Sequence, residues 1–168
     1  LRVPLGNTAV RQKEAQRSLL IDTGSAIGIA YVLRSNDGLS WKIVQFAEDT
    51  ADITFETGRY YIEGEDPVCI SSQIGCNMGC IFCFSTRPFE YVSGQKVRML
   101  RSLSAYEIVL QVQNALEAIP SHGSNLVFSF MGMGEPFDNI DNVKEAIRML
   151  EKIYPDSRVL ISTVGHDL

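Results

Sequence analysis

The strongest constraint on this chain is the order of its apolar segments between residues 67 and 163. Val68-Cys69-Ile70-Ser71 is a short apolar stretch of strand length. Ser104-Ala105-Tyr106-Glu107 forms a capping box, in which hydroxyl and carboxylate each satisfy an orphan N–H at a helix start. Behind it, Ile108, Val112, Ala115, Leu116 and Ile119 keep helical spacing until Pro120 ends the run. Leu126–Met131 is a continuous apolar run, Ile140, Val143, Ile147 and Leu150 mark a second helix closed before Pro155, and Arg158–Thr163 reads as a third strand. Strand, helix, strand, helix, strand at this spacing predicts parallel βαβ units with right-handed crossovers. Such units gather ligands at the carboxyl ends of their strands.

The N-terminal part has a different rhythm. Residues 26–33 are apolar and partly β-branched, and 41–47 alternate. Ser35-Asn36-Asp37-Gly38 between them has turn chemistry, so the pair predicts a β-hairpin. A further strand is expected across Asp52–Phe55 or Tyr60–Ile62, and a short helix over 11–20 with Ala15, Leu19 and Leu20 inward. The chain thus divides into an N-terminal extension with a β-hairpin, 1–66, and a βα core, 67–168.

Composition narrows the class. With 168 residues, 45% hydrophobic and 21% charged, the chain has enough apolar material for one core and is neither disordered nor a disulfide-dense miniprotein. No apolar run approaches the roughly 18–20 residues of a membrane helix. Residue 1 is Leu and no signal-peptide pattern follows, so a cytoplasmic, non-membrane protein is expected, with a start that need not be the natural one. The net charge of −5 argues against a chain that grips nucleic acid by charge alone. Charge is nonetheless segregated. Glu48, Asp49, Asp52, Glu56, Glu63, Glu65 and Asp66 face a single base, Arg59, whereas Arg87, Lys96, Arg98 and Arg101 outnumber Glu90.

The residues that carry chemistry follow the first strand. Cys76-Asn77-Met78-Gly79-Cys80-Ile81-Phe82-Cys83 is a C-x3-C-x2-C loop. Three thiolates on one tight loop suit three corners of a cubane iron–sulfur cluster, leaving the fourth iron without a protein ligand. Two other readings stay open on spacing alone: a closed zinc site completed by Cys69, and reduced structural cysteines. A disulfide fits poorly with the lack of a secretory signal.

C-x3-C-x-aromatic-C after the first strand of a βα barrel resembles the radical S-adenosylmethionine (SAM) superfamily. Val68-Cys69-Ile70-Ser71-Ser72-Gln73-Ile74-Gly75-Cys76 resembles the stretch entering the cluster loop in its RlmN/Cfr family, radical SAM enzymes that methylate an adenine of 23S ribosomal RNA. Gly132-Met133-Gly134-Glu135-Pro136 resembles a second motif of that family and Ile161-Ser162-Thr163 a third, in the same order. The resemblance covers roughly residues 53–168.

It implies an α/β fold: an incomplete (β/α)6 partial TIM-type barrel, about its first three β/α units, preceded by the small hairpin extension. It implies a [4Fe-4S] cluster on Cys76, Cys80 and Cys83, with SAM chelated by the open iron and contacted by Gly134, Glu135 and Ser162. Reductive cleavage of SAM then gives a 5′-deoxyadenosyl radical. Cys69 takes the place of a resolving cysteine, whose thiolate releases the RNA from a second, methyl-carrying cysteine by forming a disulfide. Glu56, followed by Thr57, takes the place of a proton acceptor for the adenine carbon. Implied partners are 23S rRNA, with transfer RNA as an alternative substrate, and an electron donor such as flavodoxin or ferredoxin.

Read without the resemblance, each residue has a plainer role. Cys69 would be a small buried hydrophobe, Glu56 a surface acid, Gly134-Glu135-Pro136 a helix-start turn, and Ser162 a strand hydroxyl. His122 and His166 read as exposed, and Met131 and Met133 as packing. No residue here matches the methyl-carrying cysteine or the later barrel strands, so the chain alone is expected not to turn over. Residues 84–93 depart from the family's wording, which keeps two alternatives in view: a different radical SAM reaction, or a non-catalytic zinc-binding module.

Overall fold

A computed structural model describes residues 15–17, 27–34, 40–47, 54–60, 64–83, 89–92, 95–119 and 125–165. Its main sheet has seven strands in the order β1-β2-β3-β4-β5-β10-β11. The first five are Ala15–Arg17 (β1), Ile27–Arg34 (β2), Ser40–Ala47 (β3), Thr54–Tyr60 (β4) and Glu65–Cys69 (β5), each antiparallel to the next. From β5 the sheet turns parallel, to Asn125–Phe130 (β10) and then Arg158–Ile161 (β11). The helices α1, Ala105–Ala118, and α2, Ile140–Ile153, make the two crossovers. Two small ribbons complete the described strands: Gln73–Gly75 (β6) with Met99–Ser102 (β9), and Phe89–Val92 (β7) with Gln95–Val97 (β8). The expected mixture of β-hairpin and parallel βαβ units is therefore present, and the sheet is continuous across residue 66.

Three expectations about local structure need correction. At Ala15–Arg17 the helix expected over 11–20 is replaced by an edge strand, with Ala15 opposite Leu33 and Arg17 opposite Val32. The helical signal there rested on three apolar positions without a cap, and the open edge of β2 offers hydrogen bonds that override so weak a local preference. The rest of 11–20 lies outside the described residues, as does the turn at 35–38. The strand expected on either side of residues 56–59 is one strand, β4, through the middle. The strand expected at 68–71 begins at Glu65 and stops at Cys69; the Ile70 N–H still donates to Ser129 O at 2.8 Å, and the chain leaves the sheet at Ser71. Ser71 donates its N–H to the side-chain carbonyl of Gln111 at 2.8 Å.

The core lies between the parallel strands and the two helices. Val68, Ile70, Phe128 and Phe130 from β10 and the β5 segment meet Ile108, Val112, Ala115 and Ile119 of α1 and Val143, Ala146 and Leu150 of α2. Each fully buried aliphatic or phenyl side chain contributes about 1.5–3 kcal/mol. Phe128 also meets Tyr154 edge-on, centroids 5.4 Å apart, which pins the end of α2 to β10.

α1 starts where the sequence places it. The Ser104 hydroxyl accepts from the Glu107 N–H, and Glu107 Oε2 accepts from the Ser104 N–H at 2.8 Å. Arg101 donates to both carboxylate oxygens of Glu107. Burial alone would raise the Glu107 pKa, but the Arg101 and Ser104 hydrogen bonds outweigh it and lower it.

One buried ion pair ties the antiparallel and parallel halves together. Arg59 of β4 donates to both carboxylate oxygens of Asp66 in β5 and to the carbonyl of Ile119 at the end of α1. Arg59 is 2% exposed and Asp66 3%. Among the described residues no helix is long and apolar enough to cross a membrane.

Two stability measurements follow. Arg59→Met removes one partner of a buried pair and is expected to cost about 3–5 kcal/mol in urea unfolding. Glu107→Gln is expected to cost about 1 kcal/mol. Because the folded pKa of Glu107 is depressed, its contribution is complete above the ordinary carboxylate range and fades as pH falls through the folded value. The gap between wild type and Glu107→Gln should therefore close in acid.

Candidate functional site

The three parallel strands end side by side. Cys69 closes β5, opposite Ser129 in β10 and Gly58 in β4, and Phe130 at the end of β10 is opposite Ile161 at the end of β11. The three motifs all follow these ends, so the topology gathers Cys76–Cys83, Gly132–Pro136 and Ile161–Thr163, which are far apart in sequence.

The tightest contact joins the segment after β5 to the segment after β10. Ile70 O accepts from the Gly132 N–H, and Met133 O accepts from the N–H groups of Ser72 and Gln73. Ser71 Oγ accepts from Met133 N–H at 2.9 Å, and Gln73 Oε1 from Glu135 N–H at 3.0 Å. Such close approach explains both glycines of the motif. A Cβ at Gly132 would fall 2.7 Å from the Ile70 carbonyl. Gly134 has φ +102, and a Cβ there would fall 2.7 Å from Gln73 Cβ and Ser72 Oγ. Asn139 fastens the same junction by donating to the carbonyls of Ser72 and Leu103.

Glu135 sits in this junction, 2% exposed. It is the N-cap of a one-turn 3-10 helix, Pro136–Asn139, and Oε1 accepts from the Phe137 N–H. Oε2 accepts from the Val164 N–H at 3.0 Å, joining the end of β10 to the segment after β11. The helix-start role and a place beside the strand ends therefore coexist. A carboxylate accepts up to about four hydrogen bonds, so two backbone donors do not exhaust it. Ser162 lies just past β11, with its N–H directed to Phe130 O at 3.4 Å and its side chain exposed.

The cysteine loop leaves from the same end. Gly75 turns at φ 88, and the Cys76 N–H donates to Arg98 O just before β9. Gly79, at φ +72, passes under the Arg98 guanidinium, where a Cβ would lie 2.8 Å from Nη1. Cys80 and Cys83 bracket a turn closed by Cys83 N–H to Cys80 O, with Ile81 and Phe82 at its exposed tip. Cys76 is buried, and Cys80 and Cys83 are half-buried. Burial pushes the Cys76 thiol above its ordinary pKa, a hydrogen bond with the Met78 backbone opposes this, and negative charge at Cys83, Cys80 and Glu135 adds to the rise. These three thiols and Glu135 therefore share one electrostatic neighbourhood.

This neighbourhood suits a bound cluster in its donor chemistry. Three thiols on one loop repel one another as thiolates, and a metal group relieves that repulsion. Among the described residues no three His, Cys, Asp or Glu side chains stand close enough to grip a single metal ion. A cubane does not require that, since each thiolate binds its own iron. Ser72 Oγ and Ser129 Oγ are buried here without a hydrogen-bond partner, polar capacity of the kind a ligand at the strand ends would meet.

Of Glu56, the backbone is placed in β4, opposite Val44 and two residues from Gly58, the register partner of Cys69. Arg101, part of the basic segment, is engaged by Glu107, whereas Arg98 is exposed. His122, His166 and Arg87 lie outside the described residues. Ser71, Ser72, Gln73, Asn139 and Gln111 hold the junction, a role that the sequence pattern does not single out. A polar Ser-Ser-Gln run directly after an apolar strand was the available signal.

A parallel sheet with a three-cysteine loop after its first strand and a glycine–glutamate turn after its second defines a radical SAM core. A radical SAM methyltransferase from Sphaerobacter thermophilus shares this fold, with TM-score 0.65 and 28% identity over 84% of this chain and 40% of that one. The chain is 39% identical over 147 residues to the dual-specificity RNA methyltransferase RlmN of Wolinella succinogenes, and 34% identical over 126 residues to that of Campylobacter concisus. It belongs to the RlmN/Cfr-type radical SAM family. These alignments take in 80% and 73% of the chain but 36% and 30% of the relatives, so the chain spans about a third of their length. No protein-family model matches it.

Two outcomes test this geometry. Gly134→Ala meets both backbone strain and a close contact, and is expected to cost about 1–3 kcal/mol by chemical denaturation. In the metal-free chain, iodoacetamide followed by peptide mapping should label half-buried Cys80 and Cys83 before buried Cys69 and Cys76.

Proposed function

We propose that this chain is the cluster- and SAM-holding part of a radical SAM RNA methyltransferase. The observation that carries the reading is the hydrogen-bonded junction of Ile70–Gln73 with Gly132–Glu135, set beside the loop of Cys76, Cys80 and Cys83. The cysteines hold a [4Fe-4S] cluster through three irons. The chemistry such a cluster supplies when bound is one-electron reductive cleavage of SAM.

Each residue then has a task. Gly134 allows the backbone to approach SAM closely, and the Glu135 carboxylate accepts from its ammonium group. Ser162 contacts SAM from the end of β11. The Cys69 thiol, delivered by β5 to the same end of the sheet, acts as the resolving nucleophile that frees methylated RNA from the protein. Glu56, two residues along β4 from the partner of Cys69, accepts the proton lost by the adenine carbon. The substrate is 23S rRNA or transfer RNA, and the electron comes from a small redox protein such as flavodoxin or ferredoxin. Residues 1–66 form an N-terminal extension with a β-hairpin and 67–168 the first half of the radical SAM barrel. The relatives' names, each an RNA methyltransferase, support the substrate class.

Anaerobic loading of the chain with iron and sulfide tests the cluster. The expected result is about four iron and four sulfide per chain with broad absorbance near about 400 nm, lost on Cys→Ala substitution at 76, 80 or 83. One zinc per chain and a colourless sample would favour the zinc-binding alternative. In a full-length protein containing this segment, Cys69→Ala is expected to leave RNA covalently attached to the enzyme, detected as a nuclease-sensitive gel shift under denaturing conditions. Turnover equal to wild type would remove Cys69 from the mechanism.

A further inference from the structure

Gln111, on the buried face of α1, is 0% exposed, the most deeply buried of the three polar residues, with Glu107 and Asn114, that this helix buries among its aliphatic side chains. Its amide makes a two-way contact with one backbone unit. Oε1 accepts from Ser71 N–H at 2.8 Å, and Nε2 donates to Ser71 O at 2.7 Å. Oε1 also accepts from the Thr57 hydroxyl of β4 at 3.0 Å, and the Gln111 main-chain carbonyl accepts from Gln45 Nε2 of β3 at 3.3 Å. One helical residue therefore engages β3, β4 and the exit of β5. Ser71 lies two residues after Cys69 and five before Cys76, at the point where the chain leaves the sheet. Thr57 is the neighbour of Glu56.

A hydrophobic residue of similar size would fill this space without satisfying Ser71. Leaving a buried backbone N–H and carbonyl unpaired costs about 1–3 kcal/mol for each group. A glutamine supplies the one donor and one acceptor needed at matching positions. We propose that Gln111 is a positioning residue: its amide fixes the backbone at Ser71, and so holds the Cys69 thiol at the exit of β5 in register with β4. The importance of that thiol rests on the role proposed above for Cys69. The clamp itself is tested in the chain without cofactor or RNA, so failure of one leaves the other measurable.

The test compares Gln111→Leu, Gln111→Glu and wild type in the metal-free chain. The readouts are the Cys69 alkylation rate and the Ser71 amide exchange rate, each as a ratio to wild type at the same pH. Gln111→Leu removes both hydrogen bonds to Ser71 and is expected to raise both ratios about a hundredfold, roughly tenfold for each bond lost. Gln111→Glu separates hydrogen bonding from packing. A buried carboxyl has its pKa raised, and its neutral form still donates to Ser71 O and accepts from Ser71 N–H, whereas its ionised form cannot donate. The ratios for Gln111→Glu should stay near one at about pH 5, where the carboxyl is neutral, and rise about tenfold only at a pH where it ionises. The titratable groups nearest this contact along the chain are Cys69, two residues before Ser71, and Glu107, one turn earlier on α1 and held by Arg101. The comparison at equal pH cancels their own titration, which wild type shares. Gln111→Leu ratios that stay near one, or Gln111→Glu ratios already as high as those of Gln111→Leu at about pH 5, would overturn the proposal. So would a Gln111→Glu chain unfolded at about pH 5, where both hydrogen-bonding directions are retained.

Discussion

The arrangement depends on backbone hydrogen bonds between two loops sixty residues apart in sequence. Ile70–Gln73, leaving β5, and Gly132–Glu135, leaving β10, lie so close that a Cβ at either glycine would strike backbone or side chain. Parallel strands make this contact available, because their carboxyl ends share one edge of the sheet. The contact in turn sets where the cysteine loop begins and where the Glu135 carboxylate sits. Glu135 carries the connection onward to the segment after β11. Three motifs that are unconnected in sequence thereby become one surface.

Much of this surface was legible because its chemistry is local. The Ser104–Glu107 capping box, the spacing of α1 and α2, the apolar run of β10 and the hairpin of β2 and β3 each follow from neighbouring residues. The C-x3-C-x2-C loop also announces itself. What was not legible depends on partners distant in sequence. Ala15–Arg17 is extended because β2 has an open edge, and β6 exists because β9 lies alongside it. Ser71 leaves its strand because a glutamine forty residues later takes its N–H. No local pattern marks that glutamine as different from Gln113, two positions further on and only half-buried.

The antiparallel half of the sheet is more than an appendage to the parallel half. Arg59 and Asp66 form a buried pair across β4 and β5, and Arg59 also caps the carbonyl at the end of α1. Gln45 and Thr57 reach the same helix nearer its middle. Polar groups buried this deeply stabilise little in themselves but penalise any other register, because a slip leaves each of them unpaired. The position of β4 beside Cys69 is thus specified by several independent contacts. That precision matters for a residue such as Glu56, whose proposed work requires a fixed relation to the strand ends.

In the proposed function, the thiolates of Cys76, Cys80 and Cys83 hold a cluster with one iron left for SAM. The most direct measurement is the electron paramagnetic resonance spectrum of the iron–sulfide-loaded chain, reduced anaerobically with dithionite and recorded with and without SAM. A spectrum that shifts on addition of SAM, and not on addition of an equal amount of methionine-free adenosine, is the predicted result. Identical spectra with and without SAM would show that no iron of the cluster is open to SAM.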